Sequence, residues 1–147
     1  MSARKSVKKF GTKVDVAIAI VFDRAGERVL ICQRRHDTVL PNYWEFPGGK
    51  VNDGETLAAC AVREVREELG IEVETVKELT RIEHDYPHAF VRLHPFVCRH
   101  VAGDVALLCV ADARWVAPAE VKAYTFPAAN GALVERVARG WLALVGG

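Results

Sequence analysis

Residues Gly49 to Ile71 read GKVNDGETLAACAVREVREELGI. The stretch from Thr56 to Leu69 predicts one helix. Thr56 is suited to cap its start, Ala58, Ala61, Val62, Val65 and Leu69 fall on one face, and Gly70 follows where a helix end favours glycine. On that helix Glu64, Glu67 and Glu68 stand at i, i+3 and i+4. This spacing gathers three carboxylates on one face, beside the apolar stripe rather than opposite it. Like charges so close repel, and salt relieves that only in part. Two readings follow from the helix alone: a solvated acidic face, or a site for a hard cation, since Mg²⁺ and Mn²⁺ prefer carboxylate oxygen.

Outward from the helix, Val14–Phe22 is β-branched and apolar, and predicts a buried strand. Asp23-Arg24-Ala25-Gly26 then turns the chain into Val29–Cys32 as a hairpin. Residues 33–43 are polar and irregular, and Pro47-Gly48-Gly49 breaks the chain after Trp44-Glu45-Phe46. Beyond the helix come extended stretches at Ile71–Asp85 and Phe90–Val101, joined across Tyr86-Pro87-His88, and a short strand at Arg114-Trp115-Val116. A helical segment is expected from Ala128 to Val145. Strands interspersed with two helices predict an α/β (α+β) domain.

The 147 residues suffice for one domain with a core and not for two. Formal charge is +1, but Arg4, Lys5, Lys8, Lys9 and Lys13 lie in the first 13 residues with no acid. Without them, 15 bases face 19 acids. Residues 1–13 therefore read as a flexible basic arm and 14–147 as one mildly acidic domain, a balance that argues against a nucleic-acid binder. The first apolar run is short and contains Asp15, which argues against a signal peptide, and no run has the ~20 residues that span a bilayer. Cys32, Cys60, Cys98 and Cys109 form no C-x-x-C pair; each sits in an apolar run and is expected to be a buried structural thiol in a reducing cytoplasm. None of the five histidines has a motif around it, so none is expected to be catalytic.

The opening stretch matches throughout the Nudix box, G-x5-E-x7-R-E-U-x-E-E-x-G-U with U a bulky aliphatic residue. The fixed positions are Gly49, Glu55, Arg63, Glu64, Val65, Glu67, Glu68, Gly70 and Ile71. A chance match in a chain this long is on the order of 10⁻⁸. The chain thus resembles the Nudix hydrolases. That resemblance implies an α/β/α sandwich with a mixed β-sheet and a loop–helix–loop catalytic motif. It also implies metal-assisted hydrolysis of a nucleoside diphosphate linkage, with Mg²⁺ or Mn²⁺ on Glu64, Glu67, Glu68 and the Gly48 carbonyl. Arg63 and Glu55 would orient those carboxylates, and Glu64 is the favoured proton acceptor from water.

Gln33-Arg34-Arg35, Trp44-Glu45-Phe46-Pro47-Gly48-Gly49-Lys50 and Phe126-Pro127-Ala128-Ala129-Asn130 are similar to the MutT branch. The likeness implies a nucleoside triphosphate pyrophosphohydrolase acting on 8-oxo-dGTP or dGTP. Asn130 would read the base edge, Arg34 would contact the nucleotide, and Phe46 and Tyr86 would pack on the base. Related enzymes prefer CTP or 5-methyl-dCTP, others ADP-ribose, and degenerate members bind a nucleotide without cleaving it. Such a chain would work as a monomer or homodimer on a small-molecule nucleotide, without a membrane. One departure stands out. Where many MutT relatives carry a loop glutamate six residues before the matching tryptophan, this chain has Cys109, with Asp104 and Asp112 nearby.

Overall fold

The computed structural model describes residues 12–87 and 89–146. Most of the basic arm, and His88, therefore lie outside the described residues. The spine of the sheet is β1 (Thr12–Phe22), which runs parallel to β7 (Ala89–Ala102) in unbroken register from Thr12↔Ala89 to Phe22↔Arg99. The other edge of β1 is shared. β4 (Gly48–Lys50) pairs antiparallel with Val16–Ile18, and β2 (Val29–Gln33) joins at Phe22↔Val29 as the predicted hairpin. β2 also carries β3 (Trp44–Glu45) and β8 (Asp112–Val116). β6 (Ile82–Tyr86) and β5 (Glu72–Glu78) divide the far edge of β7 between them. The sheet is mixed, and no helix among the described residues is long and apolar enough to cross a membrane.

A strand buried on both faces needs apolar residues at every position, and β1 supplies them from Ala17 to Phe22, all buried. Ala17, Ala19 and Val21 face Cys60, Ala61, Val65 and Leu69 of helix α1 (Leu57–Leu69). Two alanines under that helix let it settle close to the sheet. Ile18, Ile20 and Phe22 point the other way, toward Leu133, Val134 and Val137 of α2 (Gly131–Val137) and Leu144 of α3 (Trp141–Val145). Two cores on opposite faces of one sheet make the α/β/α sandwich.

Three expectations need correction. The C-terminal helix is not continuous: a 3₁₀ turn at Ala128–Asn130 leads into α2, and Gly140, left-handed at φ 94°, separates α2 from α3. The stretch Ile71–Asp85 breaks at Leu79, whose side chain is buried in the core beneath the C-terminal helices and whose amide donates to the Pro95 carbonyl at 2.8 Å. Cys109 is exposed, unlike the other three cysteines, because its apolar run is a surface loop rather than a strand.

Candidate active site

Helix α1 is punctuated at both ends. The Thr56 hydroxyl accepts from the Ala59 amide at 3.1 Å, and Gly70 adopts φ 71°, donating its amide to the Arg66 carbonyl at 2.9 Å. These stops set the phase in which its charged face meets the sheet.

Arg63 gathers the acids of that face. Its Nε and Nη2 donate to the two oxygens of Glu55 at 2.7 and 3.0 Å, a bidentate fork. Its Nη1 donates to Glu64 at 2.8 Å and to Glu67 at 3.0 Å, while Nη2 also reaches the Lys50 carbonyl at 3.1 Å. The arginine beside Glu55, with the Asn52 amide, holds that carboxyl down at about 2. One guanidinium thus ties the loop before the helix to the helix itself.

Two glycines seat the remaining acids. A Cβ on Gly49 would stand 2.4 Å from Cδ of Glu64, so only glycine leaves room for that carboxylate against the strand backbone. The Cys60 thiol lies 3.5 Å from the Gly49 and Lys50 carbonyls and closes the space below. Glu68 is the least compensated acid: its Oε1 is buried with no hydrogen-bond partner. Burial above all, then Glu64 and Glu45 nearby, push its carboxyl up to about 9, against a hydrogen bond from the Gly48 amide. With Glu64 and Glu67 engaged by Arg63, no three His, Cys, Asp or Glu side chains among the described residues converge closely enough, as they stand, to hold an ion.

A cavity of about 470 Å³ opens beside Gly48 and Gly49. Arg34, Phe46, Tyr86 and Asn130, far apart in the sequence, all line it. Phe46 does two things at once, packing on Phe126 with ring centroids 5.0 Å apart while lending the cavity a wall. The Asn130 side chain makes no capping bond to α2, so it is not spent on the helix end. Glu45 also lines the cavity, bonded to Arg34. Nothing in the sequence marks it, because a single acid inside an aromatic motif carries no spacing signal. Only its place on β3 beside Arg34 shows its setting.

The loop at 103–111 lies against the end of α1. Amides of Ala106, Leu108 and Cys109 donate to the Leu69 and Glu68 carbonyls, and the Cys109 thiol lies 3.8 Å from the Glu67 carbonyl. Cys109 therefore stands at the edge of the acidic cluster. Asp112 instead accepts from the Ala113 amide and from Arg114, at 2.8 and 3.2 Å.

The NUDIX domain family profile matches residues 17–136. The 8-oxo-dGTP diphosphatase of Escherichia coli strain K12 is 28% identical over 127 residues, covering 86% of this chain and 98% of that protein. The CTP pyrophosphohydrolase of the same organism is 28% identical over 123 residues, covering 84% and 90%. Among solved structures, the MutT protein of Methanosarcina mazei Go1 superposes with a TM-score of 0.76 at 26% identity, covering 88% of this chain and 95% of that one.

Proposed function

The chain belongs to the Nudix hydrolases, on their MutT-like side, and on that premise we propose a nucleoside triphosphate pyrophosphohydrolase whose substrate is 8-oxo-dGTP or dGTP. The products are the nucleoside monophosphate and pyrophosphate, and the role is sanitation of the nucleotide pool in the cytoplasm. One observation carries the reading: the cavity walled by Arg34, Phe46, Tyr86 and Asn130 abuts the two glycines on which Glu64 and Glu68 are seated. A base held in the cavity puts its phosphates along the acidic face of α1. The cavity volume lies in the range of small-molecule pockets, roughly 300–1,000 Å³.

The donor set fits a hard divalent cation, Mg²⁺ or Mn²⁺. Glu64, Glu67, Glu68 and the Gly48 carbonyl offer oxygen alone, and the orphaned, uncompensated Glu68 oxygen is the kind of atom a cation satisfies. Such an ion, when bound, neutralises phosphate charge and lowers the pKa of a water. The chain supplies the alignment. Arg63, anchored on Glu55, keeps Glu64 and Glu67 together on one face, from which they turn to an ion, and we assign to Glu64 the proton of the attacking water. Asn130 offers both a donor and an acceptor, as reading a purine edge requires.

The test is a nucleotide panel with Mg²⁺ and pyrophosphate detection. kcat/KM for 8-oxo-dGTP should exceed that for CTP and ADP-ribose by roughly tenfold or more, about 1.4 kcal/mol of transition-state discrimination. Preference for CTP or 5-methyl-dCTP replaces the purine reading, and tight nucleotide binding without turnover replaces the enzyme by a binding module. Glu67→Gln should abolish metal-dependent turnover; unchanged rates would remove Glu67 from the metal site.

A further inference from the structure

The loop between β2 and β3, residues 34–43, brings two aliphatic side chains to the cavity and leaves them in water. Val39 is 77% and Leu40 42% exposed, yet both line the cavity. The backbone is held in a costly shape there, with Leu40 at φ 55° and Asn42 at φ 70°, a region side-chain-bearing residues occupy reluctantly. Something must hold it. The loop has bonds of its own: the Arg34 amide to the Tyr43 carbonyl at 2.8 Å, the Thr38 hydroxyl to the Arg35 carbonyl at 2.7 Å, both arms of Arg35 on Asp37 at 3.1 Å, and the longer Asn42 and Tyr43 amides to the Arg34 and Leu40 carbonyls at 3.4 Å. The restraint that ties the tip of the loop at Val39 to β3 is the Arg34 side chain. Its Nε donates to the Val39 carbonyl at 2.7 Å, and its Nη1 donates to Glu45 Oε1 at 2.8 Å.

We infer that Arg34 and Glu45 form a clasp that holds Val39 and Leu40 as an apolar wall of the base cavity, so that this pair, acting through the loop, sets which base is admitted. Glu45 is the fixed jaw, on β3 directly before Phe46, and Arg34 transmits its position to the loop. The ion pair is less than a third exposed on either side, so its charge-assisted bond is not lost to solvent. Burial pushes the Glu45 carboxyl upward and Arg34 opposes that, so Glu45 depends on Arg34 to stay charged. An arginine engaged in this way does its work on the nucleotide as a positioning residue. A base offers flat faces to an apolar wall and polar edges to groups such as Asn130, and a wall that slackens admits rings of either size.

The inference rests on the nucleotide reading above, and the experiment separates the two. Glu45→Gln, Arg34→Ala and the double variant are compared in the full chain for kcat and KM on 8-oxo-dGTP and CTP, and for the rate at which trypsin cuts after Arg35. Arg34→Lys, which keeps the charge but cannot grip both partners, replaces Arg34→Ala if that variant fails to fold. Each single variant should raise KM for the preferred base about tenfold, as loss of one charge-assisted bond would. kcat should stay within about twofold and the double variant should be no worse than either single one, since both remove the same clasp. The preference between purine and pyrimidine should narrow, and trypsin should cut Glu45→Gln faster than wild type at an unchanged melting temperature. Wild-type KM, base preference and trypsin resistance in Glu45→Gln would overturn the clasp, as would losses that simply add. If the wild type turns over no nucleotide, the enzyme reading fails, and trypsin resistance still decides the clasp.

Discussion

Gly49→Ala adds one carbon, and that carbon lands on a carboxylate. An ideal Cβ at position 49 stands 2.4 Å from Cδ of Glu64 and 2.5 and 2.6 Å from its two oxygens, whereas ordinary contact begins at 3.4 Å. Glu64 must retreat by about 1 Å, and a displacement of that size in an aligned site costs on the order of 10²-fold in rate. The fold should hardly notice, since what moves is the end of a flexible side chain and Gly49 is not among the left-handed glycines. Gly48→Ala is the matched contrast. Its Cβ would fall 2.2 Å from the Ala17 carbonyl oxygen and 3.0 Å from the Ile18 Cα, backbone that cannot yield without disturbing the pairing of β4 with β1. There the cost should appear in stability, roughly 3 kcal/mol, or about 10 °C in melting temperature. Initial rates of pyrophosphate release and thermal melts of both variants read the two effects separately. A Gly49→Ala enzyme with wild-type kcat would refute the seating of Glu64. So would a Gly49→Ala melting point that falls in step with Gly48→Ala.

Two further outcomes follow from the scaffold. Asp15 accepts both arms of Arg92 at 2.8 and 2.9 Å and pairs with the buried His94 at 2.9 Å, so its carboxyl titrates below its ordinary 3.8. A lowered folded-state pKa stabilises above the unfolded value, and that gain is lost as pH falls through the folded one. Wild type should therefore melt higher than Asp15→Asn near neutrality and converge with it in strong acid; parallel melting curves across the acid range would contradict this. Thr56→Ala removes the cap on α1 and should lower stability by about 1 kcal/mol, near 3 °C in melting temperature, with Thr56→Ser recovering most of the loss. No change in Thr56→Ala would mean that the cap contributes nothing to holding α1.

Much of the fold is legible along the chain. The apolar run of β1, the turn into β2 and the stripe, cap and terminal glycine of α1 are patterns within a few residues of one another, and the structure has each of them. What failed to show in the sequence depends on distant partners. Leu79 breaks an extended stretch because the core beneath the C-terminal helices takes its side chain. Gly140 ends a helix that composition alone would carry onward. Cys109 sits in an apolar run like the other cysteines, yet only the path of its loop leaves it exposed.

The site divides in the same way. The spacing of Glu64, Glu67 and Glu68 places three carboxylates on one face of any helix, because the rise and turn of a helix are local properties. That much the sequence determined by itself. Tertiary structure decided what each acid became. Arg63 engages Glu64 and Glu67 while a bidentate fork anchors it on Glu55, eight residues before it, and a glycine on β4 leaves Glu64 its seat. Glu68, on the same helix face, is driven to about 9 by burial first, then by Glu64 one turn back, and also by Glu45 on β3. Desolvation and long-range charge depend on which distant segments pack against a residue, and only the assembled sheet with its two helical layers sets that.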